Sequence, residues 1–327
     1  MKGSKRVRIT SRRCTYRFEL RRNITILAGD SGTGKTTLYE LVADHTRSGE
    51  NSGVIIECPD ARGCVALVDT DWRNQLGQTH ESIVFVDEGF SPITSKEFAE
   101  AIAASDNYYV LITRSNLYQL SYSVDEIYRI KTSGKRMHQL VPVHPNRGGH
   151  RYYLTPQRRQ AERYDVVLVE DSQAGFEFYR ARLEDAGIAC ETANGCAGIF
   201  HWLEEHPDCN VFVVADGAAF GAEANRVLKL QDQNARRVTI CLPESFEWLV
   251  LMSRLVHDDE LEQVLSDPGA RIESSEYLSW ERFFTDYLVR ISQGTAFQYR
   301  KGALADAYRV DVNAERIIAE IAHGNVR

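Results

Sequence analysis

The amino-acid sequence predicts an α/β protein of two units, each built on a largely parallel sheet, with a helical C-terminal region behind the second. Short apolar runs bounded by turn formers recur through residues 6–131 and again through 165–242, which is the spacing of buried strands. Segments of helical period stand between many of these runs, as βαβ units require. Beyond Phe246 the pattern is helical only.

In the first block, strands are expected at 6–10, 16–20 and 24–28, then a glycine-rich loop and a helix over about 35–45. Strands follow at 54–58, 64–69, 82–87 and 108–113, with a helix at 95–105, and a last strand at 127–131. His144-Pro-Asn-Arg-Gly-Gly-His-Arg-Tyr-Tyr153 combines turn formers with no sustained period and reads as a boundary. The second block alternates strand 165–169, helix 173–186, strand 189–193, helix 197–205, strand 210–215, helix 222–230 and strand 237–242. The expected organisation is therefore a domain at 1–143, a linker at 144–163, an α/β domain at 164–245 and a helical region at 246–327.

A chain of 327 residues can bury about two cores. Its 43% hydrophobic and 26% charged content is ordinary for a globular protein. No apolar run reaches the roughly 18 residues of a membrane span, and the basic start has no apolar stretch behind it. Seven cysteines, odd in number and without a CxxC pair, read as free thiols in a reducing compartment. The expectation is a cytoplasmic protein without membrane contact. Net charge is −7, yet Lys2, Lys5, Arg6, Arg8, Arg12, Arg13, Arg17, Arg21 and Arg22 face one acid, Glu19, within residues 1–22. These cations, and a second basic stretch from Lys131 to Arg163, are either solvated strand faces and linker or a surface for a nucleic-acid backbone. A protein partner or a second copy of the chain is the other expected company.

Gly29-Asp30-Ser31-Gly32-Thr33-Gly34-Lys35-Thr36 satisfies GxxxxGK[ST] and lies between an apolar strand and a helix. In that setting the pattern is a P-loop for ATP. Glycine backbone amides, with Thr37 in the first helical turn, wrap the phosphates; Lys35 reaches the β- and γ-phosphates, and the Thr36 hydroxyl holds Mg²⁺. Ser82-Ile-Val-Phe-Val-Asp87-Glu88 brings Asp87 to a strand end for the metal and Glu88 to polarise the attacking water. A third strand ends in Thr113, a candidate γ-phosphate sensor, and Arg114, which acts in cis, as a finger in a neighbouring subunit, or is merely solvent-facing.

On these motifs, residues 5–135 resemble ATP-binding heads of the ABC/AAA type found in overcoming-lysogenisation-type defence nucleases, where basic antiparallel strands also precede the P-loop. Two departures stand out. There is no LSGGQ-like signature, and the separation of Thr36 from Asp87 is short for that class. The resemblance thus implies an abbreviated head whose turnover is slow or needs a partner.

The second block has Glu170-Asp171 after one strand and Asp216 after another, an arrangement of carboxylates that can hold Mg²⁺. It resembles Toprim domains, which show a strand-end Glu and then a strand ending DxDxxG. Glu170, Asp216 and Gly221 match, with Asn194-Gly195 after the intervening strand, but Ala218 replaces the second Asp. That resemblance implies catalytic Glu170 and Asp216, a metal held by Glu170 and Asp216, and Glu247 or Glu244 as the replacement carboxylate. It also resembles response-regulator receivers, which have an acidic pair after the first strand and a phosphorylated Asp about one βαβα later. Glu170-Asp171 and Asp216 fit, and Ser245 stands near the receiver Ser/Thr position, but no lysine follows strand 237–242 at the expected place. The order ATPase-then-Toprim is that of the overcoming-lysogenisation family, which cleaves nucleic acid with metals. The chain is also similar to uncharacterised P-loop proteins of bacterial mobile elements. The leading expectation is an ATPase coupled to a Mg²⁺-dependent nuclease in phage defence or mobile-element biology. The alternative is an ATP-gated, non-catalytic switch with a degenerate Toprim-like or receiver-like domain.

Overall fold

The structure, a computed structural model, describes residues 1–30, 32–134, 136–144, 151–153, 164–184, 187–233 and 237–323. It is mixed α/β and divides into two compact units. Met1–Pro145 and Asp267–Leu278 form the first; Asn146–Ser266 and Ser279–Arg327 form the second.

In the first unit, β1 (Lys5–Thr10) and β2 (Thr15–Leu20) alternate buried and exposed residues and pair antiparallel, with Arg8 opposite Arg17. Alternation follows because one face meets the core and the other meets water. β3 (Ile24–Leu27) is buried throughout, and α1 (Lys35–Ser48) leaves it through the glycine loop. β4 (Ile55–Glu57), β5 (Cys64–Ala66), α2 (Trp72–Gly77), β6 (Ile83–Val86), α3 (Lys96–Ala103), β7 (Tyr108–Ile112), β8 (Ile127–Ser133) and β9 (Met137–Pro142) complete the unit. Among the described residues they form a nine-stranded sheet in the order β4-β1-β2-β9-β8-β3-β7-β6-β5. The segment β8-β3-β7-β6-β5 is parallel, and its strands β3, β6 and β7 show no alternation because both faces are covered. Antiparallel pairing enters at β1–β2, β1–β4 and β8–β9. Leu38 and Val42 of α1 are fully buried with Val7, Ile9, Phe18, Phe85 and Val110, so α1 is wrapped by strands from both halves of the sheet. Each such aliphatic side chain contributes roughly 1.5–3 kcal/mol on leaving water.

One element of this sheet was illegible. Met137–Pro142 lacks a period of two, has only intermediate or exposed residues and ends in proline, yet it bridges β2 and β8. Gly134, at φ 63, makes the hairpin turn that joins it to β8.

The second unit contains β10 (Arg151–Tyr153), β11 (Val166–Val169), α4 (Ala174–Glu184), β12 (Ala189–Thr192), α5 (Cys196–Glu205), β13 (Val211–Val214), α6 (Gly221–Gln233), β14 (Val238–Leu242), α7 (Phe246–Met252), α8 (Leu261–Ser266), α9 (Trp280–Ser292) and α10 (Asp311–His323). The sheet order is β10-β14-β13-β11-β12, parallel except for β10. β10 falls inside the stretch expected to be linker; 145–150 and 154–163 lie outside the described residues. Val169 and Val214 share a core with Leu249 of α7, Leu288 of α9 and Ile317 of α10. The helices expected as a separate region therefore close the core of the second sheet, while residues 267–278 join the first unit.

Candidate functional site

The glycine loop leaves the carboxyl end of β3. Gly29, Gly32 and Gly34 have φ of 116°, 80° and 97°, conformations that glycine alone adopts without strain. Gly34 is the most constrained, since a Cβ there would stand 2.9 Å from Tyr16 Oη. Tyr16 of β2 donates to Gly34 O at 2.8 Å, and its ring stacks on His138 of β9 at 4.6 Å between centroids. These two strands therefore form a wall behind the loop.

Lys35 is 4% exposed and folds back on the loop. Its Nζ donates to Gly29 O, to Asp30 O at 2.7 Å and to Thr33 Oγ1 at 3.4 Å. Burial and then the Arg114 charge lower its pKa. Thr36 and Thr37 are exposed in the first turn of α1, which has no acidic side chain to offset its N-terminal dipole. Asp30, Gly32 and Thr33 lie on the loop with them, whereas Ser31 lies outside the described residues.

The ends of β6 and β7 meet this loop. Asp87 is half-buried, and its Oδ2 accepts from Gly89 N–H at 3.4 Å. Its charge also helps raise Tyr39 of α1, after burial. Arg114 Nε pairs with Glu88 Oε1 at 2.9 Å, and both charges act on Lys35. Thr113 is buried, donates its N–H to Leu27 O at 3.4 Å, and accepts from Ser115 N–H at 2.9 Å through Oγ1. Thus Lys35, Glu88 and Arg114 share one charged neighbourhood, with Glu88 ion-paired rather than free.

In the second unit, Glu170, Asp171, Asn194, Asp216, Glu247 and Lys301 are among the residues lining a polar cleft of about 210 Å³. Asp216 N–H donates to Glu170 Oε2 at 2.9 Å, so the two strand ends are joined. Burial raises both carboxyls, and Glu170 adds to the shift of Asp216. Asp171 accepts from Gln173 N–H at 3.0 Å and Gly175 N–H at 2.7 Å, which commits it to the start of α4. Glu247 is 2% exposed, accepts from Tyr299 Oη at 2.8 Å, and is also raised, chiefly by burial. Ala218, at the position of the missing acid, is buried and donates its N–H to Glu244 O at 3.1 Å.

Two groups at this cleft were not found in the sequence. Lys301 Nζ pairs with Glu281 Oε1 at 2.7 Å, and Glu247 and Asp216 add to the upward shift of the lysine. Neither residue belongs to a strand-end motif; both arrive through the packing of the C-terminal helices. Ser245, by contrast, is fully buried and caps α7 by accepting from Trp248 N–H at 3.2 Å. It does not line the cleft.

The oxygen donors at both places suit a hard cation such as Mg²⁺. Among the described residues, no group of three or more His, Cys, Asp and Glu side chains has an arrangement that could hold a metal ion. Among them also, no helix is long and apolar enough to cross a membrane. No protein-family model matches the chain, and no curated protein matches it.

Proposed function

We propose that this is a cytoplasmic ATP-binding and ATP-hydrolysing protein whose second unit is a receiver-like switch coupled to the nucleotide. The observation that carries the first half is the loop itself: three left-handed glycines, a buried lysine and an uncompensated helix N-terminus at one sheet edge. Phosphate would replace the carbonyl oxygens that now hold Lys35. Thr36 and Asp87 are the residues for Mg²⁺, which would neutralise phosphate charge. Glu88 can orient water once Arg114 turns toward phosphate.

The second half rests on where the acids stand. In chain order the parallel strands run 2-1-3-4, and Glu170 and Asp216 end the two strands between which the order reverses. Ligands of open α/β sheets bind at that crevice. Lys301 supplies the cation expected at a receiver site, and Asp216 is the candidate phosphoacceptor. A cation held by Glu170 and Asp216 would offset the burial, and at Asp216 the neighbouring Glu170 charge, that raise their carboxyls. Ser245 is the departure from this pattern, because its hydroxyl is spent on capping α7.

A second reading, a Toprim-like Mg²⁺-dependent nuclease acting in phage defence, is favoured by Glu247, which brings a third carboxylate to the cleft where Ala218 has none. One experiment separates them. The full-length protein is incubated with Mg²⁺ and acetyl phosphate, and separately with Mn²⁺ and DNA or RNA. Acid-stable but hydroxylamine-labile label on Asp216 supports the switch. Metal-dependent cleavage lost in Asp216→Asn supports the nuclease and overturns the switch.

A further inference from the structure

The arginines of β1 and β2 take no part in the nucleotide site, yet pairing sets them in a line. Glu57 of β4 stands opposite Arg8 of β1, and Arg8 opposite Arg17 of β2. Arg17 stands opposite Gln139 of β9, and Gln139 opposite Lys131 of β8. All five are exposed. Residues paired in this way share one face of the sheet, and at about 4.8 Å between strands the row spans about 19 Å. In the next row, two residues along, Arg6 stands opposite Glu19 and Arg129 opposite Val141. Arg6, Arg8 and Arg17 also line a cleft of about 890 Å³ with Arg62 of the connection after β4. The other face of the same strands belongs to the core: Val7, Ile9 and Phe18 are buried with Leu38 and Val42 of α1, and Tyr16 reaches Gly34.

Like charges directly opposite one another, as Arg8 and Arg17 are, cost a sheet stability. Nearby acids do little to relieve this. Arg8 pairs with Glu57 at 3.3 Å and Arg6 with Asp60 at 3.1 Å, both in water, where such pairs contribute little. Arg17, Lys131 and Arg129 have no ion-pair partner among the described residues. A chain of net charge −7 thus gathers cations on one open sheet face. We propose that this face binds the phosphate backbone of duplex DNA irrespective of sequence. A polyanion with one charge about every 1.7 Å of its axis can meet a whole line of cations at once. The two rows expose no aromatic side chain on which an unpaired base could stack, which favours a duplex over a single strand. Gln139 is the only neutral hydrogen-bonding side chain in them, so they offer little to a ribose 2′-hydroxyl.

Fluorescence anisotropy of the full-length protein with a short labelled DNA duplex, at several salt concentrations, tests this. Nucleotide and divalent metal are left out, so neither the glycine loop nor the acidic cleft enters the measurement. The logarithm of affinity should fall linearly with that of salt concentration. Arg17→Gln should make the slope shallower by about one and weaken binding roughly tenfold at about 0.1 M salt. Adding Lys131→Gln should bring the change in slope to about two. Glu57→Gln, which releases Arg8, should tighten binding, a gain that a misfolded variant would not give. Thermal melting checks that each variant is folded. The proposal is overturned if the wild type does not bind the duplex at about 50 mM salt. It is equally overturned if a single strand of the same length or polyglutamate of equal charge binds as tightly, or if the folded variants keep wild-type affinity and slope.

Discussion

The backbone N–H of Asp216 is hydrogen-bonded to the carboxylate of Glu170 at 2.9 Å, which makes the two strand-end acids unequal. Glu170 gains an amide donor that favours its ionised form, whereas Asp216 faces burial and the charges of Glu170, Glu281 and Glu247. Asp216 is thus the acid on which a nearby cation, whether Lys301 or a metal, has most effect.

A pH dependence of stability follows. Glu170, Asp216 and Glu247 are all raised, so the folded protein holds more protons than the unfolded chain above the ordinary carboxylate range, about pH 4. Their contribution is fully present below that range and is lost as pH rises through the raised values, opposite in sign to common acid denaturation. The melting transition of the second unit, followed calorimetrically in the full chain from about pH 5 to about pH 8, should move down. Mg²⁺ or Mn²⁺ should oppose the change by binding only the folded state. Asp216→Asn should flatten the dependence and melt no lower than wild type without metal. A variant more pH-sensitive than wild type would remove the basis for this account.

Lys35→Ala should weaken ATP binding at least tenfold, about 1.4 kcal/mol or more. The lysine already holds carbonyl oxygens of the loop, so it needs little movement to reach a phosphate. Titration calorimetry of the folded variant measures the loss. Unchanged affinity refutes the phosphate assignment.

The ion pair between Glu88 and Arg114 predicts different outcomes for its two members. Glu88→Gln should bind ATP normally and hydrolyse it more slowly, since only the carboxylate that polarises water is lost. Arg114→Ala should also reduce kcat if the arginine turns to phosphate in the reaction. If its kcat instead rises, Arg114 serves to restrain Glu88. Single-turnover hydrolysis with bound nucleotide distinguishes the cases.

Gly198→Ala tests packing behind the acidic cleft. A Cβ there would lie 1.9 Å from Ala193 O, a backbone atom that cannot swing away. The shift needed should cost about 1–3 kcal/mol, read as a lower urea midpoint. An equal midpoint would show that the start of α5 relaxes freely.

The glycine loop, the strand-end acids and the mixed α/β character were legible because each depends on neighbours in sequence. Gly34 must be glycine for local reasons of φ, and Asp87 follows directly from a buried strand. What was hidden depends on distant packing. Lys301 comes to Asp216 through helices that carry no motif, and Ser245 is diverted to a cap by the start of α7. Met137–Pro142 gives no strand signal because its inclusion is set by partners at Thr15–Arg17 and Tyr128–Ser133. Arg151–Tyr153 escaped for the same reason, being recruited to the edge of β14.

Residues 267–278 return to the first unit, where Gly269 O accepts from Gly3 N–H at 2.7 Å. During synthesis the amino-terminal unit therefore waits for a segment made after every strand of the second sheet. The first unit is thus completed only after the strands of the second have been made, though before α9 and α10 arrive to close the second core. A chain truncated after Ser266 should thus leave both units protease-sensitive, and one truncated after Leu278 should protect the first unit alone.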